Sequence, residues 1–192
     1  LMNLQMPAHT RVQFQRGVTI DVYRNTLVRS AQEHKASYIF FLDADVLAPP
    51  DIVLRLMAWK LPIISGVYWS KKGWPAVWEQ HPSGRGFTPI AHLPARGLTE
   101  VAGISMGCSL VDMRVFSCIP DPWFEWRLRD PRKEGEGEGH SEDLDFCEKA
   151  SQHGFKLYVD PEIRCLHETV IPVNVEGEMR FTDAQREKGN NA

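Results

Sequence analysis

The chain has 192 residues, of which 43% are hydrophobic and 24% are charged, and its formal net charge is −3. This composition excludes the aromatic-poor, highly charged class of disordered proteins, and the length suits one domain around a single core. The small negative charge provides no basic field, so we expect no nucleic-acid partner held by phosphate contacts.

The cysteines and the apolar runs bear on the location of the protein. Its four cysteines are spread singly, which argues against a structural zinc site and against a dense disulfide framework. No apolar run approaches the ~20 residues that cross a bilayer. We therefore expect a cytoplasmic protein, with peripheral contact to a membrane surface left open.

The first half of the chain predicts alternating strands and helices. Arg11 to Gln15 alternates polar and apolar residues as a strand does, and Val18 to Lys35 has helical apolar spacing. Tyr38 to Leu42 is a continuous apolar run typical of a strand buried on both faces. A second helix over Ile52 to Trp59 and a strand over Leu61 to Tyr68 follow. This β-α-β-α-β order predicts a mostly parallel sheet.

The second half is less regular. Trp69 to Thr99 is rich in Gly, Pro, Trp and Lys and predicts a long loop or a short hairpin. Val101 to Val111 reads as a strand interrupted by glycines. Glu142 to His153 predicts a helix, and Lys156 to Val159 and Ile163 to Leu166 predict two short strands.

These elements predict one domain over residues 1–175 and a polar tail over 176–192 that lacks apolar periodicity. The run from Glu134 to Glu138, in which Glu alternates with Gly, indicates a solvated lid.

Two carboxylates, Asp43 and Asp45, follow the apolar run Tyr38 to Leu42. In open α/β sheets, ligands bind at the carboxyl ends of the strands. Carboxylates there can hold Mg²⁺ or Mn²⁺, and proteins usually bind such ions with one or two carboxylates plus the phosphates of a substrate. The pattern indicates a diphosphate ligand. The alternative is that both residues only cap the turn into the next helix.

A second acidic pair, Glu142 and Asp143, stands at the predicted start of a helix. Acidic residues in a first turn are stabilised by the helix dipole, so capping alone is one interpretation. A carboxylate fixed there, beside a glycine-rich segment, also suits a general base that accepts the proton of an incoming hydroxyl. Either residue can take that part.

His167 ends a short predicted strand. A lone histidine is most often structural, but its imidazole can also supply a nitrogen ligand to Mn²⁺. Spacing by itself does not decide between the two.

The order of these motifs resembles the GT-A glycosyltransferases. Asp43-Ala44-Asp45 matches their DxD motif, Gly103 to Cys108 their glycine-rich loop, Ser141-Glu142-Asp143 their xED motif, and His167 their C-terminal histidine. The likeness is closest to the large inverting family and covers residues 21–167. It implies a GT-A-like, Rossmann-like α/β domain with a mostly parallel sheet flanked by helices. It also implies transfer of a sugar from a nucleotide-diphosphate donor to an acceptor hydroxyl, with inversion.

The resemblance implies roles for individual residues. Mn²⁺ or Mg²⁺ would be held by Asp43, Asp45 and His167. Asp143 would be the catalytic base, with Glu142 beside it. The donor, a UDP- or GDP-sugar by preference, would contact residues of the first helix and of the glycine loop. These residues are Asp21, Arg24, Asn25, Ser105, Met106 and Gly107.

Aromatic side chains are frequent in the predicted loops beside these motifs. Sugar rings stack on aromatic faces through their C–H patches. We therefore expect a carbohydrate or lipid-linked acceptor to contact Trp69, Trp123 and Trp126, with Glu125 adding a polar contact. The alternative is hydrophobic cover over a sheet edge.

The start of the chain departs from the GT-A pattern. These enzymes begin with a strand whose end holds the nucleotide base, so either that strand is lacking or Leu1 to Met6 serves as a shortened one. One alternative function is a sugar-phosphate nucleotidyltransferase, although its glycine-rich basic loop is not seen. A phosphatase of the haloacid dehalogenase type expects a different residue after the second aspartate. A non-catalytic carbohydrate- or nucleotide-binding domain of the same fold is the third alternative.

Overall fold

The computed structural model describes residues 3–70, 73–84, 86–127 and 140–169. The predicted tail over 176–192 and the acidic run from Glu134 to Glu138 lie outside the described residues, and the domain boundary at 175 stays a prediction.

The described part of the chain forms four helices and ten strands. The helices are α1 (Ile20–Glu33), α2 (Ile52–Ala58), α3 (Met113–Cys118) and α4 (Glu142–Gln152). The strands are β1 (Tyr38–Leu42), β2 (Val46–Leu47), β3 (Ile63–Val67), β4 (Val77–Gln80), β5 (Phe87–Pro89), β6 (Thr99–Val101), β7 (Gly103–Ile104), β8 (Cys108–Asp112), β9 (Leu157–Arg164) and β10 (Leu166–His167). The protein is therefore a mixed α/β protein, and the predictions of helices at α1, α2 and α4 are confirmed.

The main sheet has five strands in the order β1-β8-β3-β9-β6. The expectation of a mostly parallel sheet is wrong, because β3 and β9 form its one parallel pair and the other neighbours are antiparallel. Strand β8, which follows both β1 and β3 in the chain, lies between them in the sheet. Because β1 and β3 are both antiparallel to β8, and β9 is parallel to β3, these three strands still run in one direction.

The structure differs from three further strand expectations. Arg11 to Gln15 forms no strand, and its apolar residue Phe14 is 70% exposed, so the alternation marks no sheet face. The two short strands predicted between Lys156 and Leu166 are largely one strand, β9, in which the register against β3 shifts. Asn3 to Met6 forms no strand either, and Gln5 N donates a hydrogen bond to the Pro50 carbonyl oxygen at 2.7 Å. The predicted short hairpin after β3 is confirmed as β4 paired with β5.

Both faces of the main sheet are covered. Ile63 and Val111 belong to a core shared with α1, α3 and α4, whereas their chain neighbours Ile64 and Leu110 belong to a second core with α2. Successive side chains of a strand point to opposite faces, so burial on both faces produces continuous apolar runs.

Helix α4 packs closely on β7. A Cβ atom at Gly103 would lie 2.7 Å from Leu144 Cδ2, so a larger residue here would force the Leu144 side chain to move. The Ile104 amide nitrogen lies 3.4 Å from Cys147 Sγ, one turn further along the helix. This packing fixes the first turn of α4, which carries Glu142 and Asp143, against the rest of the fold.

Helix α2 offers a matched test of the second core. We expect Leu56→Ala to lower the free energy of unfolding by about 2–5 kcal/mol, because Leu56 is fully buried and its truncation leaves a cavity. Leu54→Ala removes the same atoms from a side chain that is 42% exposed and should cost about 0.5 kcal/mol. Urea denaturation measures both, and equal losses would contradict the assigned faces of α2.

Candidate active site

The carboxyl ends of three strands converge at one edge of the main sheet. Asp43 follows β1, Tyr68 follows β3, and His167 ends the short strand that follows β9. Because β8 runs in the opposite direction, its start lies at the same edge, where the segment Ser105 to Gly107 enters it. The Asp43 amide donates a hydrogen bond to the Gly107 carbonyl at 3.0 Å, which joins two of these ends.

Arg24 is the centre of a buried ion cluster. Its side chain is 2% exposed, and its Nη1 atom pairs with Glu142 Oε1 at 2.6 Å and with Asp143 Oδ1. Its Nη2 atom lies 3.4 Å from Asp43 Oδ1. One guanidinium on α1 therefore contacts carboxylates from both acidic motifs, and the motifs, which are 100 residues apart in sequence, meet in space.

Asp143 is held on both of its oxygen atoms. Oδ1 contacts Arg24, and Oδ2 accepts hydrogen bonds from Ser105 Oγ at 2.9 Å and from the Met106 amide at 3.3 Å. Donors that contact a carboxylate favour its ionised form. The predicted glycine loop thus orients the predicted base.

Tyr68 is a site residue that the sequence reasoning missed. Its hydroxyl group hydrogen-bonds Ser105 Oγ, and its ring packs edge-on against His167 with centroids 5.2 Å apart. A Cβ atom at Gly107 would lie 2.6 Å from the Tyr68 hydroxyl oxygen, so the glycine makes room for this phenol. Burial raises the pKa of Tyr68, so its hydroxyl stays protonated. The available signal was a tyrosine directly after an apolar strand.

Asp45 and His167 form a pair on the outer side of this edge. His167 Nε2 lies 3.1 Å from Asp45 Oδ2, and His167 Nδ1 lies 2.9 Å from the Trp69 carbonyl oxygen. Because a carbonyl only accepts, Nδ1 must be the donor, which turns the lone pair of a neutral imidazole at Nε2 towards Asp45. A proton or a cation is needed between these atoms. Metal-binding histidines commonly donate their other ring N–H in this way.

Four carboxylates, of Asp43, Asp45, Glu142 and Asp143, lie at this edge together with Arg24 and His167. The side chains of Asp43 and Asp45 are the most exposed of the four, at 27% and 45%. Carboxylate oxygens and an imidazole nitrogen suit Mn²⁺ or Mg²⁺, so the residues fit such an ion. In this conformation Asp43 turns towards Arg24, and the three predicted ligands are not drawn into one tight group.

Glu142 differs from Asp143 in its surroundings. One of its oxygen atoms pairs with Arg24, but the other, Oε2, is buried without a hydrogen-bond partner. Burial raises the pKa of Glu142 above its ordinary value, although Arg24 opposes the shift.

The three predicted donor-binding residues of α1 have different surroundings. Arg24 belongs to the ion cluster. Asn25 Nδ2 donates to the carbonyl oxygens of Asp21 and Phe124, and its Oδ1 accepts from the amides of Trp123 and Phe124. All four hydrogen-bonding positions of this amide are occupied. Asn25 therefore positions the Trp123–Phe124 segment and has no hydrogen bond left for a nucleotide sugar. A hydrogen bond from Thr19 lowers the pKa of Asp21.

The residues predicted to contact the acceptor differ in their exposure to solvent. Trp123 is 5% exposed and donates its Nε1–H to the Phe116 carbonyl at 2.9 Å, so it is a core residue, and its prediction as a stacking surface is wrong. Trp69 and Trp126 are 42% and 48% exposed and remain available to a ligand. Glu125 is exposed, with Lys149 Nζ at 3.9 Å.

A second polar cluster lies beside α4. His140, Asp145 and Glu148 offer ligand atoms within 4.8 Å of one another, which makes them the compact candidate metal group among the described residues. Arg127, however, pairs with both acids at 2.6 and 2.9 Å, and Lys149 Nζ lies 2.7 Å from Asp145 Oδ2. Two cations already balance the two carboxylates, so this cluster has little charge left to offer a metal ion.

Comparison with known proteins supports the fold alone. No protein-family model and no curated protein matches the sequence. The structure is similar to the crystal structure of A197 from STIV, with a TM-score of 0.58 and 18% sequence identity over 90% of this chain and 80% of that chain. Among the described residues, no helix is both long and apolar enough to span a membrane.

The raised pKa of Glu142 predicts how the free energy of unfolding depends on pH. A group whose pKa rises on folding stabilises the fold below its ordinary pKa, here 4.5, and that contribution is lost as the pH rises through the folded-state value. Glu142→Gln removes this titration. We expect the variant to gain stability relative to the wild type as the pH rises through the weakly acidic range. Urea denaturation at several pH values measures the difference, and a difference that falls with pH would contradict the assignment.

Proposed function

We propose that this protein is a metal-dependent glycosyltransferase that transfers a sugar from a nucleotide-diphosphate donor to an acceptor hydroxyl with inversion. UDP- and GDP-sugars are the favoured donors, and a carbohydrate or lipid-linked alcohol is the acceptor. The observation that carries the proposal is the meeting of the two acidic motifs at one strand edge, joined by Arg24.

Asp43, Asp45 and His167 would hold Mn²⁺ or Mg²⁺. Support comes from the geometry of His167, whose Nδ1 donates to the Trp69 carbonyl oxygen and whose Nε2 lies 3.1 Å from Asp45 Oδ2. When bound, such an ion offsets the negative charge that develops on a leaving diphosphate.

Asp143 would act as the general base. The acceptor oxygen forms a bond to the anomeric carbon, the bond from that carbon to the diphosphate oxygen breaks, and the diphosphate leaves with the electron pair. The acceptor proton passes to the Asp143 carboxylate. Hydrogen bonds from Ser105 and Met106 orient this carboxylate, and Arg24 pairs with its other oxygen atom. A fixed base of this kind contributes ~10²–10⁴-fold to the rate.

Donor binding is tested by thermal unfolding with a panel of UDP-, GDP-, CDP- and dTDP-sugars, with and without Mn²⁺. A ligand at 100 times its dissociation constant adds about 2.7 kcal/mol of stability. We expect one nucleotide to raise the midpoint only with metal, and Asp45→Asn to abolish the rise. Asp51→Asn, at the start of α2, is the control and should respond as the wild type does. A panel that moves no midpoint would contradict the proposal.

The base is identified by comparing two isosteric variants under conditions where donor binding has been established. Asp143→Asn should lower kcat by ~10²–10⁴-fold with the donor KM little changed, because it removes the proton acceptor alone. Glu142→Gln should keep most of the activity if Glu142 only supports Arg24. The reverse result assigns the base to Glu142. Nucleotide binding without any turnover by the wild type would favour a non-catalytic binding domain.

A further inference from the structure

A small pocket of about 180 Å³ lies next to the candidate active site. It is lined by residues at the ends of β3 and β9, where Val67 and Arg164 are register partners, and by the segment of residues 91–94. Trp69, whose carbonyl oxygen receives the hydrogen bond of His167, also lines it. Trp69 therefore contacts both the pocket and the Asp45–His167 pair.

The walls of the pocket suit a sugar ring. Trp69 provides an indole that is 42% exposed, and Pro75, Pro94 and Pro161 provide rigid apolar walls. Aromatic faces accept the C–H patches of a ring, and proline walls lose little conformational freedom when a ligand binds. Pockets for drug-sized ligands start at ~300 Å³, so this one is limited to a single ring with its substituents.

The charge of the pocket is opposite to that of the adjacent site. Its lining includes Arg164 and His92 and contains no Asp or Glu. Arg164 Nε donates to the Pro161 carbonyl at 3.3 Å, and no carboxylate in the described part of the chain forms an ion pair with its guanidinium. An arginine in this state is a suitable two-pronged donor to a carboxylate or a phosphate.

We propose that this pocket binds an anionic monosaccharide unit, carboxylated or phosphorylated, with its ring against Trp69 and its anion on Arg164. The inference rests on the proposed function, for which it names the acceptor class. A sugar bound in this pocket lies next to Asp45 and His167. The carboxylates of that site repel an anion, so the positive pocket also sets the direction in which such an acceptor enters.

The test is direct binding to the full chain, without metal or nucleotide, so that it is independent of donor binding. The chain has six tryptophans, and ¹⁵N-tryptophan labelling gives each an indole signal, with Trp69→Phe identifying that of Trp69. The probes are glucuronate, glucose 6-phosphate, glucose and inorganic phosphate, each titrated to the millimolar range.

We expect titration of the Trp69 signal to give a dissociation constant for glucuronate or glucose 6-phosphate that is at least ten times lower than that for glucose. Which of the two binds more tightly identifies the anion. Arg164→Met should remove this preference, whereas Arg29→Met, an exposed arginine on α1, should leave it unchanged. Equal binding of glucose, no shift with any probe, or phosphate binding as tightly as the sugar phosphate would overturn the proposal. None of these results bears on the nucleotide panel, so failure here and failure of the proposed function are distinguishable.

Discussion

The buried guanidinium of Arg24 is the interaction on which the candidate site depends. Three carboxylates from two distant motifs surround it, and without a cation at this point they would repel one another in a region of low dielectric. The cost of burying Arg24 is offset because its contacts are multiple and short. The same contacts leave Asp45 on the outer side, where a cation from solvent can reach it. One arginine thus holds the inner carboxylates in place, and the Asp45–His167 pair lies on the outer side of the site.

The second constraint is the direction of the strands. Ligand sites form where several strand ends meet, and β1, β3 and β9 bring three such ends to one edge even though their neighbours are mostly antiparallel. The reversed strand β8 adds its start to that edge. Its entering segment supplies Ser105, Met106 and Gly107 from a position that a parallel strand would not occupy. The antiparallel strand β8 therefore brings three further residues to the site.

Local patterns in the sequence were sufficient for helices α1, α2 and α4, for β1 and β3, and for the acidic motifs, because each depends on neighbouring residues. They were insufficient for the position of β8, since its apolar run contains no signal of direction or of partner. They also failed for Trp123, whose aromatic character is the same in a core and on a surface. Its burial is set by Asn25, which lies 98 residues away in the chain. Tyr68 was missed for a related reason, because its role is defined by the space that Gly107 leaves.

The place of β8 also decides how the chain reaches this fold. Among the described residues, strand β1 has β8 as its single neighbour in the main sheet, and both neighbours of β3, which are β8 and β9, come later in the chain. While a ribosome has delivered only the first hundred residues, neither of the early strands has its native partner, and their edges are open to other chains. The amino-terminal half is therefore not an independent folding unit. The main sheet assembles around a strand that is synthesised after three of its members, β1, β3 and β6.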